Sequence, residues 1–158
     1  MGDACHHHHA DGAPGEADIE RALAVAGDRL TAEGERMTVA RTRVLELLLA
    51  AGEPVKAYDL IARFGEDGQP AKPPTVYRAL EFLERKGLAH RIASISAYVA
   101  CSTGGRDHAA AFLICDCCGA TAEVSSPVAG DLGRAADAAG YAIERTTIEA
   151  HGRCPACQ

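Results

Sequence analysis

Lys72-Pro73-Pro74-Thr75-Val76-Tyr77-Arg78-Ala79-Leu80-Glu81-Phe82-Leu83-Glu84-Arg85-Lys86-Gly87 decides how the first two thirds of the chain are read. Pro74 suits the first position of a helix, where its missing N–H has no partner to lose, and Gly87 suits the C-terminal cap. Val76, Ala79, Leu80 and Leu83 stand at i, i+3, i+4 and i+7, one apolar stripe turned toward a core. Thr75 and Arg78 then project outward from the first turns, with Tyr77 bordering them. After Gly87 the period becomes strand-like, over Ala89 to Ala93 and, past a turn at Ser94, over Ile95 to Cys101.

Upstream, three more helical patterns appear. Ile19, Ala22, Leu23, Ala26 and Leu30 repeat at helical spacing. Thr38 caps a second helix bearing Val44, Leu45, Leu48 and Leu49 and ending at Gly52. A shorter third carries Ala57, Leu60, Ile61 and Phe64 up to Gly65. The loop Glu66-Asp67-Gly68-Gln69-Pro70-Ala71-Lys72-Pro73 follows. Three helices, a fourth exposed one and a hairpin make the winged helix-turn-helix order, in which the last helix enters the major groove by its first turns. The order equally describes a helical domain with no nucleic-acid role. Residues 1–18, with Cys5-His6-His7-His8-His9, are polar and aperiodic and read as a disordered tail.

Downstream, Phe112 to Ile114 reads as a strand, Thr121 to Ser125 as a second, Pro127 to Gly140 as a helix with Val128, Leu132, Ala135, Ala136 and Ala139, and Tyr141 to Ala150 as a third strand. Such a β-β-α-β unit is small for a lone domain. The division expected is a tail over 1–18, a winged-helix domain over 19–99 and a second domain over 100–158.

The second domain carries the strongest chemical signal. Cys115 and Cys118 form one CxxC, and Cys154 and Cys157 another. Each turn aims two sulfurs at one ion, and two turns complete a closed tetrahedral thiolate cage, the mark of structural zinc. A redox pair needs only one CxxC, at a helix start, and an iron–sulfur cluster is the other rival. Cys117 reads as an exposed spectator, and His151 as a hydrogen-bonding neighbour. The seven cysteines are odd in number and crowded, which argues against a disulfide framework. A second set is His90 and Cys101 at the hairpin, His108 in the next loop and Glu123 on the following strand. Two imidazoles, a thiolate and a carboxylate also suit zinc. Singly, each is also a surface His, a buried Cys or a strand Glu.

The net charge of −6 over 158 residues is unevenly spread. Residues 1–18 hold four acids and no Lys or Arg, residues 19–99 hold twelve basic and eleven acidic residues, and residues 100–158 hold four and seven. Only the middle segment is not acidic; such a segment binds DNA if its basic residues face one way, which the charge count alone does not establish. No apolar run approaches a membrane span and no basic-then-apolar leader is visible, so a cytoplasmic protein without membrane contact is expected. No nucleophile–base pair or glycine-rich phosphate loop appears, and no catalytic residue is assigned: an enzyme is not expected.

The run Lys72 to Leu80 with Leu83 and Gly87 resembles the recognition helix of the ferric uptake regulator superfamily. Ile114-Cys115-Asp116-Cys117-Cys118-Gly119 with Cys154 and Cys157 resembles its structural zinc site. Ile148-Glu149-Ala150-His151-Gly152 is similar to the zinc uptake branch. Iron and peroxide sensors of the superfamily carry a His-x-His pair before the first CxxC; here the stretch is Asp107-His108-Ala109-Ala110-Ala111-Phe112, without that pair. The resemblance implies an α+β protein, an N-terminal winged helix plus a small C-terminal α/β dimerisation domain with the four-cysteine zinc site. It implies two Zn2+ per chain, the second a regulatory ion on His90, Cys101, His108 and Glu123. It further implies a homodimer that binds palindromic operator DNA when zinc-loaded and represses zinc-uptake genes. Thr75, Tyr77 and Arg78 are then the candidates for base-side contact, and Arg41, Arg43 and Lys56 for phosphates. The alternatives are an iron-, manganese- or peroxide-sensing relative and a zinc-ribbon adaptor that does not bind DNA.

Overall fold

The computed structural model describes residues 14–65, 69–102, 110–124, 126, 128–144 and 146–158. These residues divide into two compact units, one within Ala10–Arg106 and one within Asp107–Gln158. Residues 1–13 of the tail expected over 1–18, and the candidate ligand His108, lie outside the described residues.

The N-terminal unit runs α1 (Glu16–Ala32), α2 (Val39–Ala51), β1 (Val55–Lys56), α3 (Ala57–Arg63), α4 (Pro73–Arg85), β2 (Ala89–Ile92) and β3 (Ala97–Ala100). Residues 16–18 are helix rather than tail. Gly15 is extended, and its carbonyl accepts from the N–H groups of Asp18 (2.9 Å) and Ile19 (3.1 Å). Glu16 and Asp18 place negative charge against the positive end of the helix dipole, which favours that early start. α2 begins where its cap predicts: the Thr38 hydroxyl accepts from the Arg41 N–H at 3.4 Å, and Gly52 closes the helix at φ 61. α4 opens one residue earlier than Pro74. Pro73 and Pro74 both fit the first turn, whose N–H groups have no helical acceptor, and Lys72 is the extended cap. Gly87 follows α4 at φ 64, a conformation that favours glycine.

β1 is an addition to the expected pattern, since two residues carry no readable period. It pairs Val55 with Tyr98 and Lys56 with Ala97, making an antiparallel sheet of order β1-β3-β2. The hairpin strands are shorter than expected because residues 93–96 form the turn, with Ser96 at φ 51. Leu30, Val44, Leu48, Leu60, Val76, Leu80 and Leu83 are at most 1% exposed and centre the core. Each such side chain contributes about 1.5–3 kcal/mol by leaving water, so the core holds α4 firmly by its inner face.

The C-terminal unit contains β4 (Ala110–Cys115), β5 (Thr121–Val124), α5 (Val128–Ala138) and β6 (Thr147–Gly152), then a 3₁₀ turn over Pro155–Cys157. Its sheet has the order β5-β4-β6, with β5 antiparallel and β6 parallel to β4. The last strand starts at Thr147, not Tyr141. The Tyr141 N–H is held by the Ala136 carbonyl at 2.9 Å in the cap of α5, with Gly140 at φ 76, so the chain leaves the helix before it can join the sheet. Ser125 and Pro127, expected at the end of β5 and the start of α5, lie outside the described residues.

Candidate metal centres and nucleic-acid interface

The parallel pairing of β4 and β6 builds the first centre. Its register runs from Ala110↔Thr147 to Cys115↔Gly152, so both strands end on the same side of the sheet. The first CxxC begins on the last residue of β4, and the second begins two residues beyond β6. Two turns that are 36 residues apart in sequence therefore meet. One ligand atom from each of Cys115, Cys118, Cys154 and Cys157 lies within 4.8 Å of all the others. The Cys118 and Cys154 sulfurs are 3.7 Å apart. A tetrahedron of sulfurs about 2.3 Å from a zinc ion has edges of about 3.8 Å, so the donor set fits that ion in type and in spacing.

The protonation pattern points the same way. Backbone N–H groups, from Cys154 first and then from Cys118 and Cys117, bring the Cys115 thiol down to about 6. The Cys154 N–H reaches the Cys115 sulfur at 3.3 Å. Burial, with the neighbouring Cys154 sulfur next in effect, pushes the Cys157 thiol up. Four thiolates packed this closely repel one another unless a cation sits among them, and zinc binding displaces the remaining protons. Cys117 is exposed and is not one of the four clustered sulfurs.

The second predicted set is divided between the units. In the N-terminal unit, a His90 ring nitrogen from β2 and the Cys101 sulfur just past β3 lie within 4.8 Å of each other. The Cys101 N–H donates to the Leu88 carbonyl at 3.0 Å, which ties the end of β3 to the start of β2. Glu123 stands on β5 of the C-terminal unit.

The predicted nucleic-acid residues separate into two groups. On α4, Val76, Ala79, Leu80 and Leu83 are buried, while Tyr77 and Arg78 are exposed and Thr75 is half-buried. Lys56, at the start of α3, is exposed. Arg41 and Arg43 are engaged within the unit. The Arg41 guanidinium lies 3.3 Å from the centre of the Phe82 ring and donates to the Arg36 carbonyl. Arg43 donates to the carbonyls of Phe64 (2.9 Å) and Arg63 (3.2 Å) and to the Glu46 carboxylate (2.9 Å), so it caps the end of α3. One candidate escaped sequence reasoning: Tyr58 in the first turn of α3 is 78% exposed. Its position beside Ala57 and ahead of Leu60 and Ile61, off the apolar stripe, was the available signal.

Comparison with known proteins agrees with this assembly. The model of the ferric uptake regulator family matches residues 32–151. The zinc uptake regulation protein of Escherichia coli (strain K12) is 40% identical over 124 residues, 77% of this chain and 72% of that protein. A ferric uptake regulation protein of Synechococcus elongatus is 29% identical over 134 residues, 82% of this chain and 90% of its own. Among solved structures, a zinc uptake regulator complexed with zinc and DNA superposes with a TM-score of 0.78 at 37% identity, covering 87% of this chain and 93% of that one. A crystal structure of holo XcZur gives 0.74 at 38% identity, covering 87% and 96%. Proteins of this kind are transcription regulators, not enzymes. A four-sulfur cluster at the end of a parallel strand pair, a winged helix with an exposed α4 face and these alignments lead to one assignment: the chain belongs to the ferric uptake regulator family, on its zinc uptake regulator branch.

Proposed function

We propose that this protein is a zinc-responsive transcriptional repressor that acts in the cytoplasm as a homodimer. Zinc-loaded, it binds palindromic operator DNA and represses zinc-uptake genes. Two Zn2+ ions serve each chain: a structural one on Cys115, Cys118, Cys154 and Cys157, and a regulatory one on His90, Cys101, His108 and Glu123. The observation that carries the choice of metal is the Cys101 sulfur within 4.8 Å of a His90 nitrogen. A thiolate beside an imidazole favours zinc over ferrous iron or manganese, which suit harder ligands. Ligands drawn from both units couple them, so zinc raises the population of the DNA-competent arrangement. Thr75, Tyr77, Arg78 and Lys56 supply the contacts to DNA, with exposed Tyr58 beside them; Arg41 and Arg43 support the helices that present those residues.

A zinc titration of operator binding tests the proposal. Affinity should rise with zinc and not with iron or manganese, and Cys101→Ala should lower metal content by about one zinc per chain. Equal activation by iron or manganese would move the protein to the other sensor class. Absence of sequence-specific DNA binding with zinc present would favour the adaptor.

A further inference from the structure

Beside the four sulfurs, a second set of contacts joins the first turn to the end of β6, the strand that leads into the second turn. Asp116 is the residue after Cys115, inside the first CxxC, and His151 lies on β6 three residues before Cys154. An oxygen of the Asp116 carboxylate stands 2.9 Å from Nδ1 of His151. The Asp116 backbone N–H donates to the Gly152 carbonyl at 2.9 Å, extending the β4–β6 pairing one step into the turn. On the other edge of the ring, Nε2 of His151 faces the Glu149 carboxylate at 3.9 Å. The Asp116 carboxylate thus holds the imidazole by its Nδ1 edge, and this contact ties the first CxxC turn to the end of β6, the strand that leads into the second.

We propose that Asp116 and His151 form a latch that holds the two CxxC turns in register independently of the metal, so that the cage is set before zinc enters and is slow to open afterwards. The reasoning is geometric. A chelator removes zinc from a four-thiolate site by freeing one sulfur at a time, and each freed turn must move away before the next step. The contacts of Asp116 oppose that movement and return the sulfur to the ion. Outer groups that orient metal ligands typically change metal affinity by about 10–100-fold when removed. Of the contacts that link the first turn to β6, the Asp116–His151 one is made by side chains at both ends, so it is the one that substitution can remove cleanly. Here both are positioning residues, since neither belongs to the four-sulfur group.

This inference rests on zinc occupying the four-cysteine cage, and its test keeps the two separable. In a Cys101→Ala background, zinc release to a chromophoric chelator is followed for His151→Ala, His151→Asn and His151→Gln. An Asn amide nitrogen can replace Nδ1, whereas a Gln amide nitrogen replaces Nε2, the ring edge turned away from Asp116. The expected result is release about tenfold faster for His151→Ala and His151→Gln, and restored to the starting rate by His151→Asn. Asp116→Ala should match His151→Ala, and the double variant should be no faster than either single one. A background protein that binds no tightly held zinc overturns the cage assignment itself. Tightly held zinc with an unchanged rate in His151→Ala, or equal effects of Asn and Gln, overturns the latch alone.

Discussion

At the scale of single residues, Cys115 and Cys157 behave as opposites although they serve one ion. Cys115 collects backbone N–H donors and ionises at about 6, while buried Cys157 keeps its proton past the ordinary thiol range. In the metal-free protein the depressed Cys115 thiol adds stability in full above its unfolded value of 9.0; the gain fades below that and is gone once pH falls under about 6. The raised Cys157 thiol has the reverse sign: its contribution is whole below 9.0 and is lost as pH rises beyond. In the Cys101→Ala background, where only the four-cysteine cage takes zinc, uptake should accordingly release about one proton more per chain at pH 5 than at pH 7, because Cys115 is already ionised at the higher value. Calorimetry in buffers of differing ionisation enthalpy reads that number directly; equal release at both pH values would show that Cys115 is not activated. On the other unit, Arg78 is exposed at the outer face of a helix whose inner face is fully packed. Arg78→Ala should cost about 1–3 kcal/mol of operator affinity with the fold intact, read by fluorescence anisotropy beside a circular dichroism melt.

Elements show where local chemistry decides and where it does not. The turn between α3 and α4 closes on Gly65, whose N–H donates to the Gln69 carbonyl at 3.1 Å. A Cβ at this position would lie 2.3 Å from that same oxygen, which is backbone and cannot swing aside. Gly65→Ala should destabilise the unit by about 1–3 kcal/mol through that displacement and weaken operator binding by shifting the start of α4. At Gly27, within α1, a Cβ would meet nothing within 4 Å, so Gly27→Ala should stabilise by about 0.5–1 kcal/mol. Urea midpoints at constant slope measure both, and the opposite signs are the check. The same distinction explains what the sequence could disclose. α2 and α4 were legible because Thr38, Gly52, Pro74 and Gly87 punctuate an apolar period. The cage was legible because CxxC spacing is itself a local geometry. β1 was not, as its two residues are a strand only by pairing with β3, and the start of β6 was hidden by the cap at Gly140. Arg41 and Arg43 looked like free charges because a sequence cannot show the Phe82 ring or the α3 carbonyls that occupy them.

For the whole molecule, α5 poses a question that one chain does not answer. It is amphipathic, yet none of its described side chains is buried, and Val128 and Leu132 are 54% and 45% exposed. Leu113 on β4, and Tyr141 and Ile143 beyond α5, are exposed as well. A small unit that leaves this many large apolar groups in water gains by covering them with an identical surface, and the proposed homodimer supplies that cover. The proposed dimer would also offset the charge. The net charge of −6 opposes approach to a polyanion; in the proposed dimer, two heads on one palindrome would convert the second encounter into an intramolecular one. Leu132→Glu should therefore shift the protein to monomer in sedimentation analysis and weaken binding to a two-half-site operator by roughly tenfold or more. Binding to an isolated half-site should change little, and zinc in the four-cysteine cage should stay at one per chain, because Leu132 stands on α5, apart in sequence from both CxxC turns, and is not among the clustered ligands. A variant that remains dimeric and keeps full operator affinity would place the pairing surface somewhere other than α5.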